Sequence, residues 1–171
     1  GRLSRDTVVP WLWYRSIPGP RTVVWVANRD APAAGSPTLA LANDSSLVVS
    51  DADGRVLWNT TVAVSSSPQA PAAAVLTNEG DLVVQRANGP ALWQSFDPPT
   101  DTFLPGMKMR IRYRTRAGER LVSWKDAGDP SPGSFSYGCD PATSIQMFLW
   151  DGSRPVYRST PWTAFRVKSE D

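Results

Sequence analysis

The side chains that could do chemistry are few in kind. Among 171 residues there is no His and one Cys, Cys139. Without an imidazole there is no Ser-His-Asp or Cys-His relay. No His or Cys cluster can hold zinc, haem or an iron–sulfur centre. A single thiol makes no internal disulfide, and Cys139 reads as a small, half-buried apolar side chain. Carboxylates and cations remain. Asp97 and Asp101 bracket a Pro-Pro-Thr turn, and Asp30 closes another conspicuous motif. Two carboxylates about 5–10 Å apart can cleave a glycoside. No second catalytic signature accompanies these, and Asp residues in turns accept local backbone hydrogen bonds. A Gly-rich phosphate loop and an Asp-Phe-Gly triplet are both absent, which excludes kinase chemistry in these residues. The inventory favours binding over catalysis, with no metal or cofactor.

The densest chemical signal is Lys108-Met109-Arg110-Ile111-Arg112-Tyr113-Arg114-Thr115-Arg116. Strict alternation is a strand signature. At about 6.8 Å per two residues, Lys108, Arg110, Arg112, Arg114 and Arg116 line one side of a ribbon. Their mutual repulsion needs solvent, acidic neighbours or a partner. Two readings stay open. One is an exposed edge strand that charge protects from pairing with other chains. The other is a strip that binds an acidic partner, such as a polyuronate or an acidic peptide. No aromatic platform interleaves the basic side, which argues against nucleic acid. Residues 108–120 hold six cations and one anion, so the formal net charge of +2 hides a basic stripe on a mildly acidic body.

The elements that must position these residues are strands. Eight Trp and sixteen Pro suit pleated surfaces punctuated by turns, and no stretch shows sustained helical periodicity with a cap and stop. An internal repeat organises the first half. Residues 41–60 shifted by 35 positions align without a gap on 76–95, so Leu47-Val48-Val49 meets Leu82-Val83-Val84 and Leu57-Trp58 meets Leu92-Trp93. Trp25 precedes Trp58 by 33 residues and closes Thr22-Val23-Val24 in the same way. Three small units, each unable to bury its own apolar face, are expected to pack three sheets around the Trp side chains and a pseudo-threefold axis. Leu47, Val49, Leu82 and Val84 then face the core. Ser65-Ser66-Ser67-Pro68 links the second and third units. After Pro98-Pro99, strands are expected around 107–115, 120–125, 134–138, 145–150 and 155–158, with turns at Gly128-Asp129-Pro130 and Asp151-Gly152. No run reaches the roughly 18 apolar residues of a membrane span, and no signal peptide is visible. Two N-x-[ST] acceptors, at Asn43 and Asn59, fall at turns or strand ends.

Longer motifs carry a resemblance. They are Trp13-Tyr14 with Ile17-Pro18 and Arg21-Thr22-Val23-Val24-Trp25-Val26-Ala27-Asn28-Arg29-Asp30, and then Leu92-Trp93-Gln94-Ser95-Phe96-Asp97 with Pro99-Thr100-Asp101-Thr102 and Leu104-Pro105-Gly106-Met107-Lys108. Ser123-Trp124-Lys125, Asp129-Pro130-Ser131-Pro132-Gly133, Phe148-Leu149-Trp150, Gly152-Ser153-Arg154-Pro155, Arg158-Ser159 and Pro161-Trp162 follow. In these the chain resembles the extracellular S-domain of plant S-locus glycoproteins and of G-type lectin receptor-like kinases. The resemblance implies an all-β fold with a bulb-type lectin domain of the β-prism II kind over 1–97, lacking its opening strands. Residues 98–171 would start a second, S-locus-glycoprotein, lectin-like region. It also implies that this is a piece of a longer protein. Full chains of the family continue into Cys-rich modules, a membrane span and a cytoplasmic kinase, so any membrane or kinase part would lie outside these residues.

Mannose-binding bulb lectins resemble one another in a Q-x-D-x-N-x-V-x-Y strand, whose alternate residues converge on one sugar. The aligned positions here are Ala42, Asp44, Ser46, Val48 and Ser50, and in the next unit Thr77, Glu79, Asp81, Val83 and Gln85. Gln, Asn and Tyr are lost from the first strand, and Asp81 lacks the amide donors of Asn. Unpaired sugar hydroxyls at about 1–3 kcal/mol each make both strands degenerate sites. The resemblance therefore implies an extracellular or secreted recognition module for a protein or peptide ligand, in self-recognition of pollen or in defence. Homodimerisation, with Trp11, Trp13 or Trp162 as contacts, is compatible with it. The alternative is a lectin module for mannose-type or acidic plant glycans.

Overall fold

The computed structural model describes residues 7–8, 11–13, 22–62, 71–87, 89–97, 99–112, 117–140, 142 and 146–161. The Ser65–Pro68 link, Tyr113–Arg116 and Trp162 lie outside them. Among the described residues the regular structure is entirely strand. In chain order the strands are β1 (Thr7–Val8), β2 (Trp11–Trp13), β3 (Val23–Val26), β4 (Ala33–Ala34), β5 (Thr38–Leu41), β6 (Leu47–Ser50), β7 (Val56–Asn59) and β8 (Ala72–Leu76). There follow β9 (Leu82–Arg86), β10 (Ala91–Gln94), β11 (Ile111–Arg112), β12 (Ala117–Gly118), β13 (Arg120–Asp126), β14 (Asp129–Cys139), β15 (Met147–Asp151) and β16 (Arg154–Arg158).

The repeat is present down to its hydrogen bonds. β5-β6-β7 and β8-β9-β10 are antiparallel three-stranded sheets, and β2 pairs with β3. In one unit the Leu47 N–H donates to Thr60 Oγ1 at 2.9 Å; 35 residues on, the Leu82 N–H donates to Ser95 Oγ at 2.9 Å. The turn before each inner strand needs a left-handed residue, supplied by Ser45 at φ 72° and by Gly80 at φ 92°. Period-2 alternation sends Leu47, Val49 and Val84 into the core and leaves Leu82 packed against it. Trp25, Trp58 and Trp93 come from the three sheets. Their ring centroids stand 5.7, 5.8 and 5.8 Å apart, all edge-to-face, the geometry that ring quadrupoles favour.

The second half is a four-stranded antiparallel sheet in the order β13-β14-β15-β16. Two expectations shift here. The strand anticipated over 107–115 is realised, among the described residues, only as β11, paired with β12. Asp129 and Pro130 already belong to β14, so the turn tightens onto Ala127-Gly128. The Asp126 carboxylate accepts the Gly128 N–H at 2.8 Å and the Asp129 carboxylate accepts the Ser131 N–H at 3.0 Å, which hold the corner. Opposite it β13 bulges, and a Cβ on Gly133 would lie 2.4 Å from the Trp124 carbonyl oxygen. That is the close approach a glycine permits.

Arg29 ties the two halves together. It is 7% exposed. Its Nε donates to the Pro130 carbonyl at 2.9 Å, both Nη atoms donate to Val122 at 3.1 Å, and Nη2 donates to Ser123 at 2.9 Å. Asp101 Oδ1 lies 3.7 Å from Nη1. The planar guanidinium fork suits such a carbonyl cluster better than an ammonium would.

Candidate functional site

A cleft of about 290 Å³ opens beside the β8–β9 turn, and two of the sequence-predicted groups meet in it. Thr77, Glu79 and Asp81 come from the turn, Lys108 and Arg110 from the start of the basic stripe. Val83 and Gln85 lie farther along β9 and do not line it, and Asp44, Ser46 and Val48 sit in the preceding unit. Of the remaining stripe, Arg112 is exposed on β11, while Arg114 and Arg116 are outside the described residues.

Two of the carboxylates in this cleft, Asp81 and Asp97, are engaged internally. Asp81 is buried, and its Oδ1 accepts Ser95 Oγ at 3.0 Å and the Phe96 N–H at 3.1 Å. Burial pushes the Asp81 carboxyl above the usual range, and the hydrogen bonds offset this in part. Asp97 is gripped by both Nη atoms of Arg110 and by Gln94 Nε2 at 2.6 Å. The bonded guanidinium holds the Asp97 carboxyl below the usual range against a smaller effect of burial. Arg110 also donates its backbone N–H to Glu119 Oε2 at 2.8 Å, with Nη1 3.8 Å from Oε1. Acidic neighbours thus compensate Arg110, one of the outcomes its repulsive setting required. Asp97 and Glu119 are the residues that a sequence reading does not single out for this role. As a hydrolytic pair Asp97 and Asp101 are unsuited: the first is ion-paired, and Oδ2 of the second accepts Thr102 Oγ1 at 3.0 Å.

Residues 22–125 match a protein family described as D-mannose binding lectin. The chain belongs to the D-mannose binding lectin family. It is similar to two Arabidopsis thaliana proteins, receptor-like serine/threonine-protein kinase SD1-8 (38% identical over 159 residues, 91% of this chain and 18% of the relative) and a G-type lectin S-receptor-like serine/threonine-protein kinase (38% over 156 residues, 88% and 19%). It is also similar to S-locus-specific glycoprotein S6 of Brassica oleracea, 36% identical over 158 residues, 91% of this chain and 36% of the relative. The chain thus spans about a fifth of the kinases and about a third of the glycoprotein. The segment matched is a lectin domain, the non-catalytic part of such kinases.

In this lectin the first-unit positions are also drawn into the fold. Asp44 Oδ1 accepts the Ser46 N–H at 2.9 Å, and Ser46 is buried. Both Asn43 and Asn59 are exposed, the first in the β5–β6 turn and the second at the end of β7. Trp13 is exposed on β2. Among the described residues no group of His, Cys, Asp and Glu could hold a metal, and no helix is long and apolar enough to cross a membrane.

Proposed function

We propose that these residues form the extracellular, ligand-reading part of a longer plant recognition protein, in which the mannose strands of the family have become structural. The observation that carries this reading is Asp81. A sugar hydroxyl at Asp81 Oδ1 would compete with Ser95 and the Phe96 N–H, two partners that hold the end of β10 against β9. Asp44 Oδ1 likewise accepts the Ser46 N–H, and Ala42, Ser46 and Ser50 are too short to reach a ring. Recognition then rests on other surface, with a protein or peptide as ligand or a second copy of the chain, in self-recognition of pollen or in defence. A glycan on Asn43 fits its exposure. A second reading draws on Lys108 and Arg112, which are exposed: with Arg114 and Arg116 they would bind an acidic glycan or peptide.

The test is a titration of methyl α-mannoside and mannan against the wild type, Asp44→Ala, Glu79→Gln and the triple variant Ala42→Gln, Ser46→Asn, Ser50→Tyr. The reading expects no mannose binding that depends on Asp44 or Glu79, and a gain in the triple variant. Micromolar mannose binding lost on Asp44→Ala or Glu79→Gln overturns it. Oligogalacturonide binding that weakens with salt and with Lys108→Gln supports the second reading.

A further inference from the structure

The three tryptophans do more than fill a core. A pocket of about 430 Å³ opens where β3, β7 and β10 end, with Trp25, Trp58 and Trp93 among its lining. That volume lies in the range of about 300–1,000 Å³ common to small-molecule sites. Trp58 and Trp93 remain half-buried although they belong to the central cluster. Edge-to-face packing turns the rings across one another, and all three contribute to the pocket lining.

Around the floor stand Asp30, Asn59, Thr61 and Thr100. Two charged lining residues are already engaged: Arg29 with the carbonyls of Pro130, Val122 and Ser123, and Asp97 with Arg110 and Gln94. The groups facing a ligand are therefore one carboxylate, one amide and two hydroxyls. These accept and donate hydrogen bonds above an aromatic surface that takes apolar C–H groups. A neutral pyranose has both halves of that pattern. A uronate would meet the Asp30 carboxylate.

We propose that this pocket is a saccharide site that binds one neutral pyranose ring on the tryptophan floor, hydrogen-bonded by Asn59 and Thr61. The inference rests on the reading of the chain as a recognition module without working strand sites, and relocates sugar binding to the end of the tryptophan triangle.

The experiment uses the whole chain produced without N-glycans, followed by indole N–H shifts in ¹⁵N NMR and by Trp emission. The probes are methyl α-mannoside, methyl β-galactoside, methyl β-glucoside, N-acetylglucosamine, galacturonate and choline. At least one neutral pyranose is expected to shift two or more of the three indoles saturably, with Kd of about 1 mM, as one ring with few contacts provides. Asn59→Ala and Thr61→Val, both at exposed positions, should each weaken that binding about fivefold with indole spectra otherwise native. Glu79→Gln and Asp44→Ala should leave it unchanged. No saturable shift with any neutral sugar overturns the pocket while leaving the module reading intact. Sugar shifts abolished by Glu79→Gln or Asp44→Ala, and kept by Asn59→Ala and Thr61→Val, overturn both. Shifts from galacturonate or choline in place of the neutral sugars overturn the ligand class.

Discussion

Arg29→Ala tests how the two halves are joined. The substitution removes a guanidinium that makes four donor contacts to three carbonyls, those of Pro130, Val122 and Ser123. Hydrogen bonds from a charged donor contribute about 1.5–3 kcal/mol each, but contacts sharing one group are not additive. Removal also leaves Asp101, 3.7 Å away, without its opposite charge. Losing one member of a buried charged arrangement costs about 3–5 kcal/mol, and we expect Arg29→Ala to fall there. Against a total of about 5–15 kcal/mol, that is a large fraction. Arg29→Lys should recover part of the loss, because one ammonium cannot reach three carbonyls with a fork's geometry. Arg29→Met keeps stem volume and should stay near the Ala value. Urea unfolding gives the magnitudes, and amide hydrogen exchange shows where the loss falls. The wild type should exchange β6–β9 and β13–β15 with similar protection. In Arg29→Ala the second group should open at lower free energy than the first. A loss under about 1 kcal/mol, or protection that falls equally in both groups, would refute the clamp.

Three further outcomes follow from the same geometry. Asp81→Asn keeps an oxygen for Ser95 and Phe96 while removing a charge that burial disfavours, so its melting temperature at pH 7 should equal or exceed wild type; Asp81→Ala should lose about 1–3 kcal/mol. Because the folded pKa of Asp81 is raised, wild-type stability relative to Asp81→Asn should fall as pH rises from the unfolded value of 3.8 through the folded one, a trend that thermal melts across pH 3–7 would show. Asp97 has the opposite sign: its folded pKa is lowered by Arg110, so the advantage of wild type over Arg110→Gln should be full above the unfolded value of 3.8 and disappear as pH falls through the folded one. Gly133→Ala forces a Cβ to 2.4 Å from a backbone oxygen and should cost at least about 2 kcal/mol in urea unfolding.

What could be read from the chain alone divides by the range of the interaction. The 35-residue repeat is local, and each unit carries its own hydrophobic period and turn. The opposed cores of Leu47, Val49 and Val84 and the meeting of three tryptophans were therefore legible. Alternation at 108–116 was legible too, but alternation says what a strand would present, not whether one forms or what neutralises it. Arg110 finds Asp97 across 13 residues and Glu119 across nine, and Arg29 finds Val122 across 93. No short-range pattern encodes such pairings. The pocket follows the same logic. Each tryptophan alone reads as core, and Asn59 with Thr61 alone reads as a glycosylation acceptor. Only the packing of three separate sheets against one another brings the three tryptophans together, so that residues from each unit line one pocket. Where three repeat units meet through their tryptophans, a pocket at the meeting point belongs to no single unit. If the strand sites are structural, as proposed above, such a pocket can take a ligand without disturbing any one sheet.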